Sequence, residues 1–334
     1  MSAHTLSRRQ FLKLIGYSSL VLTQPVVGGG CWNEPSQEDS DPTTYTVALV
    51  KNSDESYAIE RAIELAGGLD FIAAGDSVLL KLALNSPNPF PATTSPLVVA
   101  KLIELLKDKG AGEIFVGDKS PSWQEGGTIY CMEETGIYQT AVDNGAQIAL
   151  FEDNDMVSVQ PAAATHWPGG FYIPNLFTLV DHIIALPTLR THAYAKFTMG
   201  IKIFVGALPQ TNRESMHDSL YFLERIAEIP LCTDKIRLSL LDARSGFNSG
   251  GPDSGDLITP GIVIAGKNLV ATDVTGLALL KIYGTTPQLT SLDIWNHATI
   301  KRAIALYSPA LSLETLTLVS EGMDTIEEVR EQLR

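Results

Sequence analysis

Cysteine is scarce in this chain: three among 334 residues, at positions 31, 131 and 232. They lie far apart and in no C-x-x-C arrangement, so they can build neither a four-cysteine zinc site nor an iron–sulfur cluster. If Cys31 is used elsewhere, Cys131 and Cys232 can form at most one disulfide, and two unlinked thiols fit equally well. The six histidines form no i, i+4 pair. There is no H-E-x-x-H, no G-x-S-x-G and no EF-hand loop, so the common hydrolase and zinc-protease chemistries have no support. No stretch beyond the first thirty residues is apolar enough to span a bilayer, and neither a repeat nor a low-complexity segment is present. Positive charge is also short, with 24 basic against 38 acidic residues and a net charge of -14. Such an excess repels phosphate backbones and anionic headgroups, which argues against nucleic acid as a partner. Any anion must therefore be captured by a local cluster of cations.

What is present begins at the N-terminus. Ser7-Arg8-Arg9-Gln10-Phe11-Leu12-Lys13, followed by the apolar run Leu14 to Val27, matches a twin-arginine export signal, in which Arg8 and Arg9 are read by the twin-arginine translocase. Removing residues 1–30 takes away Arg8, Arg9 and Lys13 and no acid, so the remaining chain is more acidic still. Two ends for the signal stay open. Gly28-Gly29-Gly30-Cys31 places a cysteine behind small residues, as at a lipid-attachment site, and plain cleavage within the glycines is the alternative. The expected location is periplasmic or cell-envelope associated, with membrane contact only through a lipid on Cys31. Residues 31–44, polar and holding Pro35 and Pro42, read as a linker.

From Tyr45 short apolar β-type runs alternate with amphipathic segments. Strands are expected at 45–50, 77–84, 113–116, 147–151, 182–186, 236–242 and 261–265. Helices are expected at 56–66, at 96–109 behind Ser95-Pro96, at 131–144, at 271–282, near 296–307, and after Asp324. Residues 154–175, rich in Pro and Gly, read as a long connection or lid, and 246–255 as a glycine-rich loop. This rhythm predicts an α/β domain over 45–290, with a mainly parallel or mixed sheet covered by helices on both faces in three layers. It leaves room for two subdomains meeting near 175, and residues 291–334 read as a helical extension.

Polar residues collect where the strands should finish: Lys81, Asp118, Asp153, Arg190, His192 and Asp242. Ligands of open α/β sheets bind beyond the carboxyl ends of the strands, because loops and helix N-termini converge there. The stretch Leu186 to Ala207 carries Arg190, His192, Lys196 and Lys202. Lys202 lies between Ile201 and Ile203 and suits a buried anion contact, whereas Lys196 reads as a solvated loop charge. Arg190 suits bidentate recognition of a carboxylate or phosphate. Lys81 closes an apolar strand and needs a carboxylate, an anion or a route to solvent. Gly250 and Gly251 offer backbone amides that can cradle an anion, although the loop lacks the order of the known nucleotide-binding loops. Asp118, Asp242 and Asp273 have the oxygen chemistry for a divalent cation; helix capping is the alternative for Asp273.

From about Thr46 to Gly284 the chain resembles the uncharacterised family catalogued as domain of unknown function 362. The matching residues are Val78-Leu79-Leu80-Lys81, Thr93-Thr94-Ser95-Pro96 and the segment Gly110 to Asp118. They continue with Arg190-Thr191-His192, Thr198, Lys202 and Gly206, then Gly250-Gly251-Pro252 with Gly255, and Ala271 with Asp273. The family pattern has Lys at the place of Arg190, Lys-Pro-Asn at Lys81-Leu82-Ala83 and Lys-Asn at Lys202-Ile203. Some relatives carry a cysteine-rich iron–sulfur segment that is missing here. The resemblance implies a fold and candidate residues but no reaction.

Together these readings predict an enzyme acting on a small anionic substrate in a cationic cleft. Arg190, Lys202, Gly250 and Gly251 hold the anion, and His192 or Lys81 moves a proton. The cofactor stays open: no iron–sulfur cysteine motif is present, and Asp118 and Asp242 could serve a divalent metal. The alternative is a noncatalytic binding or accessory protein of an exported redox or metal-cofactor system.

Overall fold

The computed structural model describes residues 44–334; the twin-arginine motif with Arg8 and Arg9, Cys31 and almost all of the expected linker lie outside them. Thirteen strands are present among the described residues: β1 (Tyr45–Lys51), β2 (Val78–Leu82), β3 (Ile114–Asp118), β4 (Gln147–Leu150), β5 (Met156–Val159), β6 (Phe171–Pro174), β7 (His182–Leu186), β8 (Thr188–His192), β9 (Lys196–Thr198), β10 (Ile236–Phe247), β11 (Leu257–Ile258), β12 (Ile262–Gly266) and β13 (Leu316–Glu321). The principal helices are α1 (Glu55–Leu65), α2 (Pro96–Asp108), α3 (Gly127–Glu134), α4 (Ile137–Asp143), α5 (Gly200–Ile203), α6 (Gln210–His217), α7 (Phe222–Glu228), α8 (Leu269–Ile282), α9 (Ala298–Tyr307) and α10 (Ile326–Leu333).

The main sheet has the order β13-β1-β12-β10-β7-β2-β3-β4. Every neighbouring pair on this path is parallel except those made by β12, which runs against both β1 and β10. Side chains alternate across the strands, and the two sets feed two separate cores. Val47, Leu49, Leu79, Ile183, Leu241 and Ile264 face one core, which includes α8. Ala48, Val50, Leu80, Ile184, Leu240 and Val263 face the other, which includes α1 and α2. Both faces are therefore covered, and the arrangement is the three-layer α/β architecture that the near-continuous apolar strands imply.

Local chemistry fixes the elements around the site. Asp54 caps α1 by accepting from the Tyr57 N–H at 3.0 Å. Pro96 occupies the first turn of α2, where its missing N–H costs nothing. Asn268 caps α8 by accepting from Ala271 N at 2.9 Å.

Several expectations are corrected by the fold. The helix expected over 131–144 is two helices, parted at Gly136, whose φ of 75° no β-carbon residue adopts easily. The expected lid at 154–175 contains β5 and β6, paired antiparallel as a small sheet of their own. β10 does not stop at Asp242 but runs to Phe247. It takes Gly246 out of the glycine-rich loop, because a Cβ there would lie 2.4 Å from Leu189 O of adjacent β8. The segment Leu186 to Ala207 is not a strand end and loop but the β8–β9 hairpin followed by α5. Residues 291–334 are not wholly helical: β13 pairs parallel with β1 and extends the sheet. Cys131 and Cys232 are unlinked thiols.

Candidate functional site

A cleft of about 460 Å³ opens at the carboxyl ends of β2, β3 and β8. Its walls include Asp118, Lys119, Arg190, His192, Lys202, Arg213, His217 and Asp253, with Trp123 and Tyr194 at the rim.

Beneath it lies a closed ion pair. Lys81 is fully buried, and its Nζ donates to Asp118 Oδ1 at 2.8 Å and to Leu82 O at 2.7 Å. Asp118 also accepts from the backbone N–H groups of Leu84 at 2.9 Å and Lys119 at 2.7 Å. The Phe151 ring packs 5.6 Å from the ammonium. Burial is the largest influence on both groups, lowering Lys81 and raising Asp118, and their mutual attraction opposes it. Gly206 roofs the pair: a Cβ there would sit 2.0 Å from Asp118 Oδ1 and 2.8 Å from Lys81 Nζ. Only a residue without a side chain fits over so tight a contact. Lys81 does not line the cleft and cannot meet a ligand there.

Above the pair, the cations have no such partner. Arg190 comes from β8, which lies between β10 and β9, and only 1% of it is exposed. Its Nη1 donates to Asn85 Oδ1 at 3.0 Å, to Pro252 O at 3.0 Å and to Ala92 O. Its Nε is buried without any hydrogen-bond partner. Burial pulls the guanidinium down to about 10, with Asp253 and Asp118 resisting, so it stays charged at neutral pH. Arg213, on α6, uses Nε on Leu208 O at 3.0 Å and Nη2 on Lys119 O at 2.7 Å and Gly206 O at 3.1 Å, leaving Nη1 without a protein partner. Burial lowers its pKa too.

Lys202 is half-buried on α5 and makes no side-chain hydrogen bond or salt bridge among the described residues. Desolvation, then Arg190 and Arg213, push its ammonium down to about 7 against the pull of Asp253. The backbone that carries it is held from across the core. Asp273 accepts from the N–H of Gly200 at 2.8 Å and of Ile201 at 2.9 Å. Burial raises Asp273 to about 7, opposed by those two donors. Asp273 is a capping residue, yet it caps α5 and not α8, in whose interior it sits.

His192 Nδ1 accepts from the N–H groups of Tyr194 at 3.1 Å and Ala195 at 3.2 Å, on the tight turn between β8 and β9. The proton of the neutral ring therefore sits on Nε2, and desolvation with Lys202 and Arg190 nearby holds the ring's pKa down to about 2. His192 lines the cleft as a neutral ring whose one N–H is on Nε2. Lys196, on β9, lies outside the lining.

Two predicted contributions lie elsewhere. Asp242 lies on the α1–α2 side of the sheet, sharing parity with Leu238 and Leu240, and outside the cleft lining. It is locked to Arg244 through Nη2–Oδ2 at 2.7 Å and Nε–Oδ1 at 2.9 Å, and Arg244 continues to Ser95 Oγ at 3.0 Å and to Glu55. That network ties the starts of α1 and α2 to β10. Asp118 and Asp242 are thus not brought together, and no group of three or more His, Cys, Asp or Glu among the described residues could hold a metal ion. Gly250 and Gly251 are turn residues rather than a cradle: a Cβ on Gly251 would lie 2.1 Å from Thr191 O, and one on Gly250 2.7 Å from the Gly255 backbone. Their neighbours Pro252 and Asp253 face the cleft instead.

The sequence reading missed Lys119, Arg213 and His217. Lys119 directly follows the flagged strand end, so extending the rule by one residue finds it. Arg213 and His217 share one face of α6, whose sequence QTNRESMH has no apolar stripe to advertise it.

A mostly parallel three-layer α/β protein with a cationic cleft at its strand ends is the class that fold and site define. The chain belongs to the family described as Domain of unknown function (DUF362), which matches residues 78–278 and so spans Lys81, the cleft cations and Asp273. Over 247 residues it is 27% identical to a thylakoid-associated protein of Synechocystis sp., covering 67% of this chain and 70% of that protein. Among solved structures, the lactate racemase apoprotein from Thermoanaerobacterium thermosaccharolyticum is similar at 15% identity and a TM-score of 0.45, over 69% of this chain. The chain spans 55% of that structure's own length. Among the described residues no helix is long and apolar enough to cross a membrane.

Proposed function

We propose that this chain is an exported enzyme acting on a small anionic substrate, a carboxylate or a phosphate, bound in the cleft over the Lys81–Asp118 pair. The observation that carries this reading is the convergence of Arg190, Lys202 and Arg213 on one cleft without a salt bridge to any of them among the described residues. Desolvated cations without counter-charges are costly, and a bound anion removes that cost. Arg190 and Arg213 hold the anion, and His192 Nε2–H donates to it. Lys202, poised near neutrality, takes the proton-transfer role first assigned to His192 or Lys81. The export element rests on the Ser7-Arg8-Arg9 motif, and the thylakoid association of the Synechocystis relative fits a protein that leaves the cytoplasm.

Thermal-shift and calorimetric titrations of phosphate and acetate into the purified protein test the binding element. Both anions should stabilise it, more weakly in Arg190→Gln and more weakly at high ionic strength. Equal responses in wild type and variant would sink the reading. Saturable binding of every anion tried with no turnover of any would favour the accessory role. Replacing Arg8 and Arg9 by lysine should retain the chain in the cytoplasm, read by cell fractionation; unchanged export would remove the twin-arginine element.

A further inference from the structure

Of the lysines at this end of the sheet, Lys81 is sealed, whereas Lys202 opens onto the cleft beside Arg190 and Arg213. We propose that Lys202 is an imine-forming nucleophile and that the substrate is a small anion bearing an aldehyde or ketone beside its carboxylate or phosphate. This deepens the function proposed above and rests on it for the anion.

The geometry carries the argument. Lys202 Nζ has no hydrogen-bond partner among the described residues, although the two arginines beside it, Arg190 and Arg213, each have several. The cleft wall also carries Asp118 and Lys119 at the end of β3 and Glu214 and Asp218 from α6 and its end; the groups that act directly on Lys202 are Arg190 and His192 from β8, Arg213 and His217 from α6, and Asp253 from the loop after β10. Four of those five are bases, and the carboxylate among them is turned to Arg190 as well. An amine held among cations sheds its proton readily, and the depressed ammonium noted above follows from that setting. The apolar Ile201 and Ile203, both buried, flank it, and Asp273 fixes the start of the short helix that presents it. A nearly fully buried guanidinium with an unpartnered Nε, that of Arg190, lies in the same cleft to receive the substrate's anionic end. His192 Nε2–H is available to donate to the carbonyl oxygen.

The step balances without any further reagent. The lone pair of the neutral Lys202 amine adds to the carbonyl carbon and the carbonyl π pair moves to oxygen. One N–H proton passes to that oxygen, giving a carbinolamine. The C–O bond then breaks and water leaves with the second N–H proton, so one amine and one carbonyl give one imine and one water. Nothing is oxidised or reduced.

Reductive trapping on the full chain tests it. The protein is incubated with glyoxylate and cyanoborohydride, which delivers hydride to the imine carbon while water protonates nitrogen, and the labelled lysine is located by peptide mass spectrometry. Lys202 should be modified at least about tenfold faster than exposed Lys51, because near pH 7 far more of it is unprotonated. The Lys202 rate should climb through pH 7 and level off above it. Labelling of Lys202 no faster than Lys51 overturns the proposal, and because wild type alone supplies this measurement, a misfolded variant cannot obscure it. Acetate, an anion without a carbonyl, separates the two claims. If acetate stabilises the protein but glyoxylate leaves Lys202 unlabelled, the nucleophile falls and the anion cleft stands. If acetate does not bind and Lys202 is still unlabelled, both fall. If acetate competes with selective labelling of Lys202, and Lys202→Met abolishes that label, both are supported.

Discussion

Lys81 and Lys202 approach the same end of the sheet, Lys81 from inside β2 and Lys202 from the short helix α5. Lys81 meets a carboxylate that is itself held by two backbone N–H groups, and the result is a closed unit roofed by Gly206. Lys202 meets Arg190, Arg213 and two histidines, and nothing closes it off. The same residue type is thus a structural tie in one place and a reactive amine in the other. The difference lies in what the neighbouring elements aim at it, since burial alone acts on both. Asp242 with Arg244 repeats the closed pattern on β10, which shows that such ties are how this fold tolerates charge inside.

If this contrast is right, breaking the tie is the most damaging change. Asp118→Asn leaves the Lys81 ammonium buried without a counter-charge and should cost about 3–5 kcal/mol in denaturant unfolding. A loss below about 1 kcal/mol would mean the pair is not the keystone of the cleft floor. Gly206→Ala pushes a methyl group into the pair and should cost about 1–3 kcal/mol, with the floor shifted rather than unmade.

On the open side the effects move from stability to binding. Arg190→Gln should weaken anion affinity roughly 10- to 100-fold, as expected for a lost charge-assisted hydrogen bond, read by calorimetry at fixed ionic strength.

Last comes Lys202→Met, which should match wild type in stability or exceed it. The sign follows from linkage. The folded-state pKa of about 7 lies below the ordinary 10.5. Wild type therefore carries no penalty above pH 10.5, loses stability as pH falls from 10.5 to 7, and carries a constant penalty below that. The advantage of Lys202→Met should grow over the same window and then flatten. A destabilised variant would place Lys202 in the same structural category as Lys81.

The layered fold is legible in the sequence because strands buried on both faces leave unbroken apolar runs, and Ser95-Pro96 marks the start of α2. Boundaries fail where tertiary contact overrides local pattern. Gly136 divides what reads as one helix, and Gly246 reads as loop although the close passage of β8 makes it strand. β13 hides in a segment whose neighbours are helical. Lys81, Asp118, Arg190 and His192 are visible as polar residues at strand ends, and Lys202 as a cation within an apolar run, but the direction in which each points is not. Asp242 has the same sequence signature as Asp118, and both share parity with residues of the α1–α2 core, but β7 and β2 stand between their strands and Arg244 on β10 closes Asp242 off. Arg213 reaches the cleft only because α6 packs its guanidinium against Lys119 O and Gly206 O, which no local pattern encodes, whereas Lys119 simply follows a strand end that the sequence shows.

β1 has its hydrogen-bonding neighbours in β12 and β13, that is, in residues 262–266 and 316–321. The first strand of the sheet is therefore among the last to be seated during synthesis. Until the ribosome has released those two segments, the apolar Val47-Ala48-Leu49-Val50 has both edges bare, which is where nascent chains are most prone to wrong pairing. A chain cut before Leu316 keeps every cleft residue yet leaves one edge of β1 permanently open. It should aggregate although its chemistry is complete.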